Sequence, residues 1–239
     1  MRGGTFEMSG TLTPVSSTPW EVFVGDAVSG LDSDILVGET TVDIPVSQAI
    51  PVLGIRTAKA VMFAGGTGIT PQINYNGGID ITKFASGVAP LSLEVKNADD
   101  NSVIGTLEGS LTAGGIVDYI PNSTDTDISH ATNFENVAAS KSGYLFYGGV
   151  STSADSTLGV SEVMSRLGGI SSQFIANVSN STPTKTNSTP SITDTSSVYT
   201  AAYGSGIEAG TSLRLKLNQA VSSGAIHWKA SLPITVTYE

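Results

Sequence analysis

Short runs of alternating apolar and polar residues, each closed by a turn, recur along most of the chain. Residues 5–12 open the series, with Phe6, Met8 and Leu12 on one face and polar side chains on the other. Pro14 and Pro19 interrupt it, and a second run covers residues 20–24. The same pattern predicts strands over 34–37, 41–44, 60–63, 72–75, 91–96, 103–107 and 116–120, then over 212–217, 225–230 and 232–238. Turn chemistry separates them at Gly65-Gly66, Asn76-Gly77-Gly78, residues 97–101 and Gly114-Gly115. That cadence predicts an all-β sandwich, and no fixed-period repeat points to a solenoid or propeller. Two regions break it. Residues 161–167 carry helix formers ahead of Gly168 and predict one or two helical turns. Residues 177–197 contain 12 Ser or Thr among 21, with Val178 and Ile192 as the large aliphatics, and predict a long mobile loop.

Composition narrows the function. Charged residues make up 13% of the 239, and acids outnumber bases 21 to 11. A net charge of −10 repels a phosphate backbone, which argues against nucleic acid as a partner. The absence of cysteine excludes a disulfide framework, a thiol nucleophile and a thiolate metal site. Histidines occur only at 130 and 227, a poor basis for zinc chemistry. No stretch approaches the roughly 18 apolar residues of a helical membrane span. Met1-Arg2-Gly3-Gly4 shows no apolar signal core, which suits an intracellular chain or a processed exported one. The low charge and abundant hydroxyls point towards export.

Several motifs resemble chemistry without its context. Gly65-Gly66-Thr67-Gly68 matches the nicotinamide-nucleotide loop of flavin-dependent reductases, but that loop must open a helix facing the pyrophosphate. Here Gln72-Ile73-Asn74-Tyr75 follows, which alternates like a strand, so a glycine-rich turn is the better reading. Asp99-Asp100 between Asn97 and Asn101 offers oxygen ligands for calcium, yet a solvated hairpin turn explains the same residues. Asp125-Thr126-Asp127 with His130 lies in a polar loop, and no serine sits in a nucleophile elbow. Neither an enzyme nor a metal or cofactor is expected.

The ends carry more information. Leu232, Ile234, Val236 and Tyr238 alternate with Pro233, Thr235, Thr237 and Glu239. With Phe6, Met8 and Leu12 at the other end, they suit a protein that donates one strand and accepts another. They suit equally the first and last strands of a self-contained sandwich.

Several stretches tip this balance: Gly10-Thr11-Leu12-Thr13, Trp20-Glu21, Val24-Gly25, Leu53-Gly54, Arg56-Thr57 and Gly68-Ile69-Thr70-Pro71-Gln72-Ile73. Phe146-Tyr147-Gly148-Gly149, Ala201-Ala202-Tyr203, Gly206-Ile207, Asn218-Gln219-Ala220-Val221, Trp228 and Thr237-Tyr238 continue the series. In these residues the chain resembles the adhesive major pilins of kappa-clade chaperone–usher fimbriae from enterotoxigenic enteric bacteria. The likeness is weakest over residues 120–200. It implies an enlarged, incomplete immunoglobulin-like sandwich, completed by a donor strand, with a small partly helical insertion. Residues 1–14 would be the donor extension, and 15–239 the pilin domain, with a receptor-binding insertion at about 120–200. The implied donor strand is Phe6, Met8, Gly10 and Leu12; the groove strand held by a periplasmic chaperone is Leu232, Ile234, Val236 and Tyr238. Neighbouring subunits, an outer-membrane usher and a host glycoconjugate are the other implied partners, on an extracellular fimbrium. Tyr144, Phe146 and Tyr147 form the sharpest aromatic cluster of the insertion and are its receptor-site candidates, although a core strand explains them too. A purely structural or minor subunit without its own receptor site is the alternative.

Overall fold

The computed structural model describes residues 18–178 and 190–239. The strands are β1 (Trp20–Val24), β2 (Thr41–Pro45), β3 (Ile50–Thr57), β4 (Phe63–Ala64), β5 (Pro71–Asn74) and β6 (Val88–Asn97). The rest are β7 (Val103–Ile120), β8 (Glu135–Asn136), β9 (Val198–Ile207), β10 (Ser212–Leu217), β11 (Trp228–Ala230) and β12 (Thr235–Tyr238), with one helix, α1 (Val160–Ile170). The main sheet runs β1-β3-β9-β7-β10-β2; β6 joins β7, and β11 extends from β6. β12 pairs with β5 in a separate two-stranded ribbon. The result is an all-β, immunoglobulin-like sandwich with one short helix.

Alternation on β7 explains the layers. Leu107, Leu111, Ala113 and Val117 point into the core between the sheet layers, whereas Ile116 points to the opposite face. That opposite face is covered by α1, whose Val160, Val163, Leu167 and Ile170 form a buried stripe at helical spacing. β9 is therefore enclosed on both sides and buried at all ten positions. Glycines let the helical layer approach closely. A methyl on Gly204 would lie 2.5 Å from a Phe174 ring carbon, and one on Gly206 would lie 2.6 Å from Ile170 Cγ2.

Several expectations change. Residues 103–107 and 116–120 belong to one strand of 18 residues, with Gly114 and Gly115 inside it. These glycines make room for Val163 on one face and Phe146 on the other, so they serve packing and not a turn. β3 and β9 had no alternating signature, since both lie in the middle of the sheet. α1 runs past Gly168 to Ile170 because Leu167 and Ile170 pack on the sheet, which outweighs a glycine's weak helix propensity. Residues 34–37 form no strand. The expected loop over 177–197 lies partly outside the described residues. Its flanks are anchored, with Val178 and Ile192 both buried in the core and Gly66 N–H donating to the Ile192 carbonyl.

Candidate assembly groove

A cleft of about 930 Å³ opens into the sandwich. Its floor is apolar because the inward positions of several strands meet there. β2 supplies Val42 and Ile44, β6 Leu91 and Leu93, β7 Leu107 and Leu111, and β10 Leu213, Leu215 and Leu217. Two irregular segments form the walls, residues 24–37 after β1 and residues 221–234 around β11. β11 pairs with β6, but most of each wall lies outside any ladder. Among the described residues, 26–35 make no backbone–backbone hydrogen bond, and neither do 231–234. An apolar cleft between two unpaired edges is the geometry that accepts one additional strand.

The carboxyl-terminal row keeps its predicted alternation. Leu232, Ile234, Val236 and Tyr238 are half-buried against the core, and the residues between them are exposed. Only Leu232 and Ile234 reach the cleft. Val236 and Tyr238 stand opposite Ile73 and Pro71 of β5. Thr70 and Glu239 exchange both backbone hydrogen bonds, at 2.9 and 3.0 Å, which fixes the phase of this ladder. In an antiparallel pair the bonded positions alternate, so the N–H and C=O groups of Val236 and Tyr238 face away from β5. The same parity carries the inward side chains and the free backbone edge.

Phe6, Met8, Gly10 and Leu12 lie outside the described residues. Of the aromatic cluster, Phe146 is fully buried, with its ring 5.3 Å from Tyr203 and 5.9 Å from Trp20. It therefore packs the core and offers no face to a ligand. Residues 144–147 form successive turns, with Phe146 at φ 59°, so the alternation expected of a strand does not apply. Tyr144 and Tyr147 remain half-exposed, and the Lys141 ammonium sits 5.1 Å from the Tyr144 ring centroid.

The chemical look-alikes resolve into turns. The glycine-rich stretch leads into β5 and not a helix, and a methyl on Gly65 would meet the Ile192 carbonyl at 2.7 Å. Asp100 accepts from the Ser102 hydroxyl and amide, which hold its carboxyl below the ordinary range. The Asp127 amide and the His130 ring do the same for Asp125. Among the described residues, no group of three or more His, Asp or Glu could hold a metal ion, and no helix could cross a membrane. Of the wall at 24–37, sequence reasoning reached only the stretch 34–37, as a strand; its apolar residues Val28, Leu31, Ile35 and Val37 have no strand partner.

Comparison with known proteins identifies the family. The family model described as "Fimbrial, major and minor subunit" matches residues 1–239. The F41 fimbrial protein of Escherichia coli is 26% identical over 245 residues, covering 93% of this chain and 84% of that protein. The chain belongs to the family of fimbrial major and minor subunits.

Proposed function

We propose that this fimbrial subunit polymerises by donor-strand exchange and acts as an adhesin for host-cell glycans. The observation that supports strand exchange is the open apolar cleft between residues 26–35 and 231–234, whose backbones are unpaired. Residues 1–14 serve as the donor extension and 15–239 as the accepting domain. In the fibre, Phe6, Met8 and Leu12 of one copy fill the cleft of the next, and Gly10 passes where a side chain would crowd. Each apolar side chain so buried contributes about 1.5–3 kcal/mol before ordering costs. Before assembly, a periplasmic chaperone covers the same edge, along Leu232, Ile234, Val236 and Tyr238, and hands the subunit to an outer-membrane usher. The glycan site lies in the insertion at about 120–200, with Tyr144 and Tyr147 as contact residues and Phe146 as their support. This is a binding and assembly role without catalysis.

The test sets two neighbouring variants of the extension side by side. Met8→Asp places a carboxylate in the row that enters the cleft, so fibre yield should collapse while the chaperone complex still co-purifies. Glu7→Lys changes the opposite face and should assemble normally. Normal fibres from Met8→Asp, or loss of fibres only with Glu7→Lys, would show the donor assignment to be wrong.

A further inference from the structure

The chain path gives the two ends of the molecule different surfaces. One end, the mouth, gathers the start of β7, the end of β10 and the turn at 36–39. There the Leu217 and Asn218 amides donate to the Thr40 and Ile104 carbonyls, at 2.7 and 2.8 Å. Val37, Val221 and Trp228 line the cleft at this end. The opposite end, the root, gathers the start of β1, the start of β9 and the end of β7. Tyr119 stands opposite Tyr199, which stands opposite Phe63, and the Phe63 ring meets Trp20 at 5.0 Å. The residues preceding Trp20 leave from the root, where the Ala58 amide donates to the Pro19 carbonyl at 2.8 Å.

Nine large apolar side chains are exposed among the described residues. Four of them, Val22, Val24, Val28 and Ile226, follow the β1 edge and the rim of the cleft. The others cluster at the two ends: Leu36 (77% exposed), Val37 (73%) and Val103 (50%) at the mouth, Val61 (43%) and Tyr119 (41%) at the root. Both ends carry exposed carboxylates, with Glu39, Asp99 and Asp100 at the mouth. Val103 lies opposite Lys96, itself opposite Lys229. At the root, Asp125, Asp127 and Asp194 all have carboxyls held below the ordinary range by hydrogen bonds.

We propose that Leu36, Val37 and Val103 of one copy pack against Val61 and Tyr119 of the preceding copy, a rigid contact additional to the exchanged strand. The inference rests on the donor-strand reading, through chain length. Residues 228–239 run from mouth to root, so a strand antiparallel to them ends with its Leu12 at the mouth. A parallel strand would instead emerge at the root, where the accepting copy's own extension leaves. From Leu12 to Pro19 there are seven peptide steps, which reach at most about 25 Å. β7 alone spans roughly 60 Å, so the tether is short against the molecule and brings root to mouth. The contact is head-to-tail, the type of interface an open filament requires.

The chain has no cysteine, so paired cysteines report the contact directly. Full-length subunits carrying one mouth cysteine (Leu36, Val37 or Val103) and one root cysteine (Val61 or Tyr119) are assembled and oxidised. At least one pair should give a ladder of covalent multimers on a non-reducing denaturing gel, given Cα atoms within about 7 Å. Single-cysteine variants should stay monomeric. A Met8→Cys/Ile234→Cys pair reports the donor strand independently. As a second measurement, Val37→Asp and Tyr119→Asp, both at exposed positions, should each release subunits from fibres about tenfold faster. A donor-pair ladder, with no mouth–root ladder and unchanged release, overturns the contact and leaves strand exchange standing. Loss of the donor-pair ladder as well overturns both.

Discussion

The two faces of the central sheet meet different fates. On the outer face, β7 and β9 are sealed by α1 and Phe174, closely enough that glycine is required at 204 and 206. On the inner face, Leu107, Leu111, Leu213 and Leu215 line an open cleft although they are as apolar as anything beneath the helix. Those four leucines are themselves buried in the main core, so the contrast is between a face packed tightly by a helix and one that keeps a cleft above its floor. An apolar cleft beside backbone outside any ladder is an aggregation hazard when it serves no partner. In the proposed fibre it is the share of the core that another molecule supplies.

Three measurements sharpen this contrast. The largest effect should come from the sealed face. Leu167 is wholly buried under the helix, and Leu167→Ala should lower unfolding stability by about 2–5 kcal/mol, read from the denaturant midpoint. Next comes the hydroxyl network behind the cleft, where Tyr75 lies 2.7 Å from both Tyr203 and Ser205. Burial pushes the Tyr75 hydroxyl up to about 12 and Tyr203 well above its usual value. A folded-state value above the unfolded one means full stabilisation below about pH 10, lost as pH rises towards 12. The subunit should forfeit about 2–3 kcal/mol across that window, and Tyr75→Phe should flatten the decline. The smallest effect belongs to the open face: Ile234→Ala removes atoms that border empty space and should cost about 1 kcal/mol or less in the isolated subunit. The same variant in fibres should weaken assembly far more. An equal loss in both states would mean that nothing docks against Ile234.

The sequence was most legible where one side of a strand is wet. β10 was read to the residue because Leu213, Leu215 and Leu217 alternate with exposed Ser212, Arg214 and Lys216. The terminal row at 232–238 kept its faces for the same reason. β9 was invisible because the helix buries its second face and replaces the polar half of the pattern with Ala and Gly. Gly114-Gly115 misled because a glycine needed for close packing reads like a glycine needed for a turn. The cleft was half legible. Its terminal strand announced itself, but the wall at 24–37 has strand-like residues with nothing to pair with, and no local pattern distinguishes a missing partner from a loop.

β1 has a mechanical consequence. In the proposed fibre, tension enters a subunit through the strand in its cleft and leaves through the residues ahead of Trp20. β1 is held to β3 over five registered positions, Trp20–Thr57 to Val24–Leu53. Glu21 accepts from the Arg56 guanidinium at 2.9 and 3.1 Å, and the Trp20 indole donates to the Ile69 carbonyl at 2.6 Å. Load directed along the strand shears this ladder as a block, so its bonds must yield together and not one after another. Survival under flow is then set by an unfolding rate and not by an equilibrium. The pairing of β1 with β3 is where a stretched fibre would yield or hold.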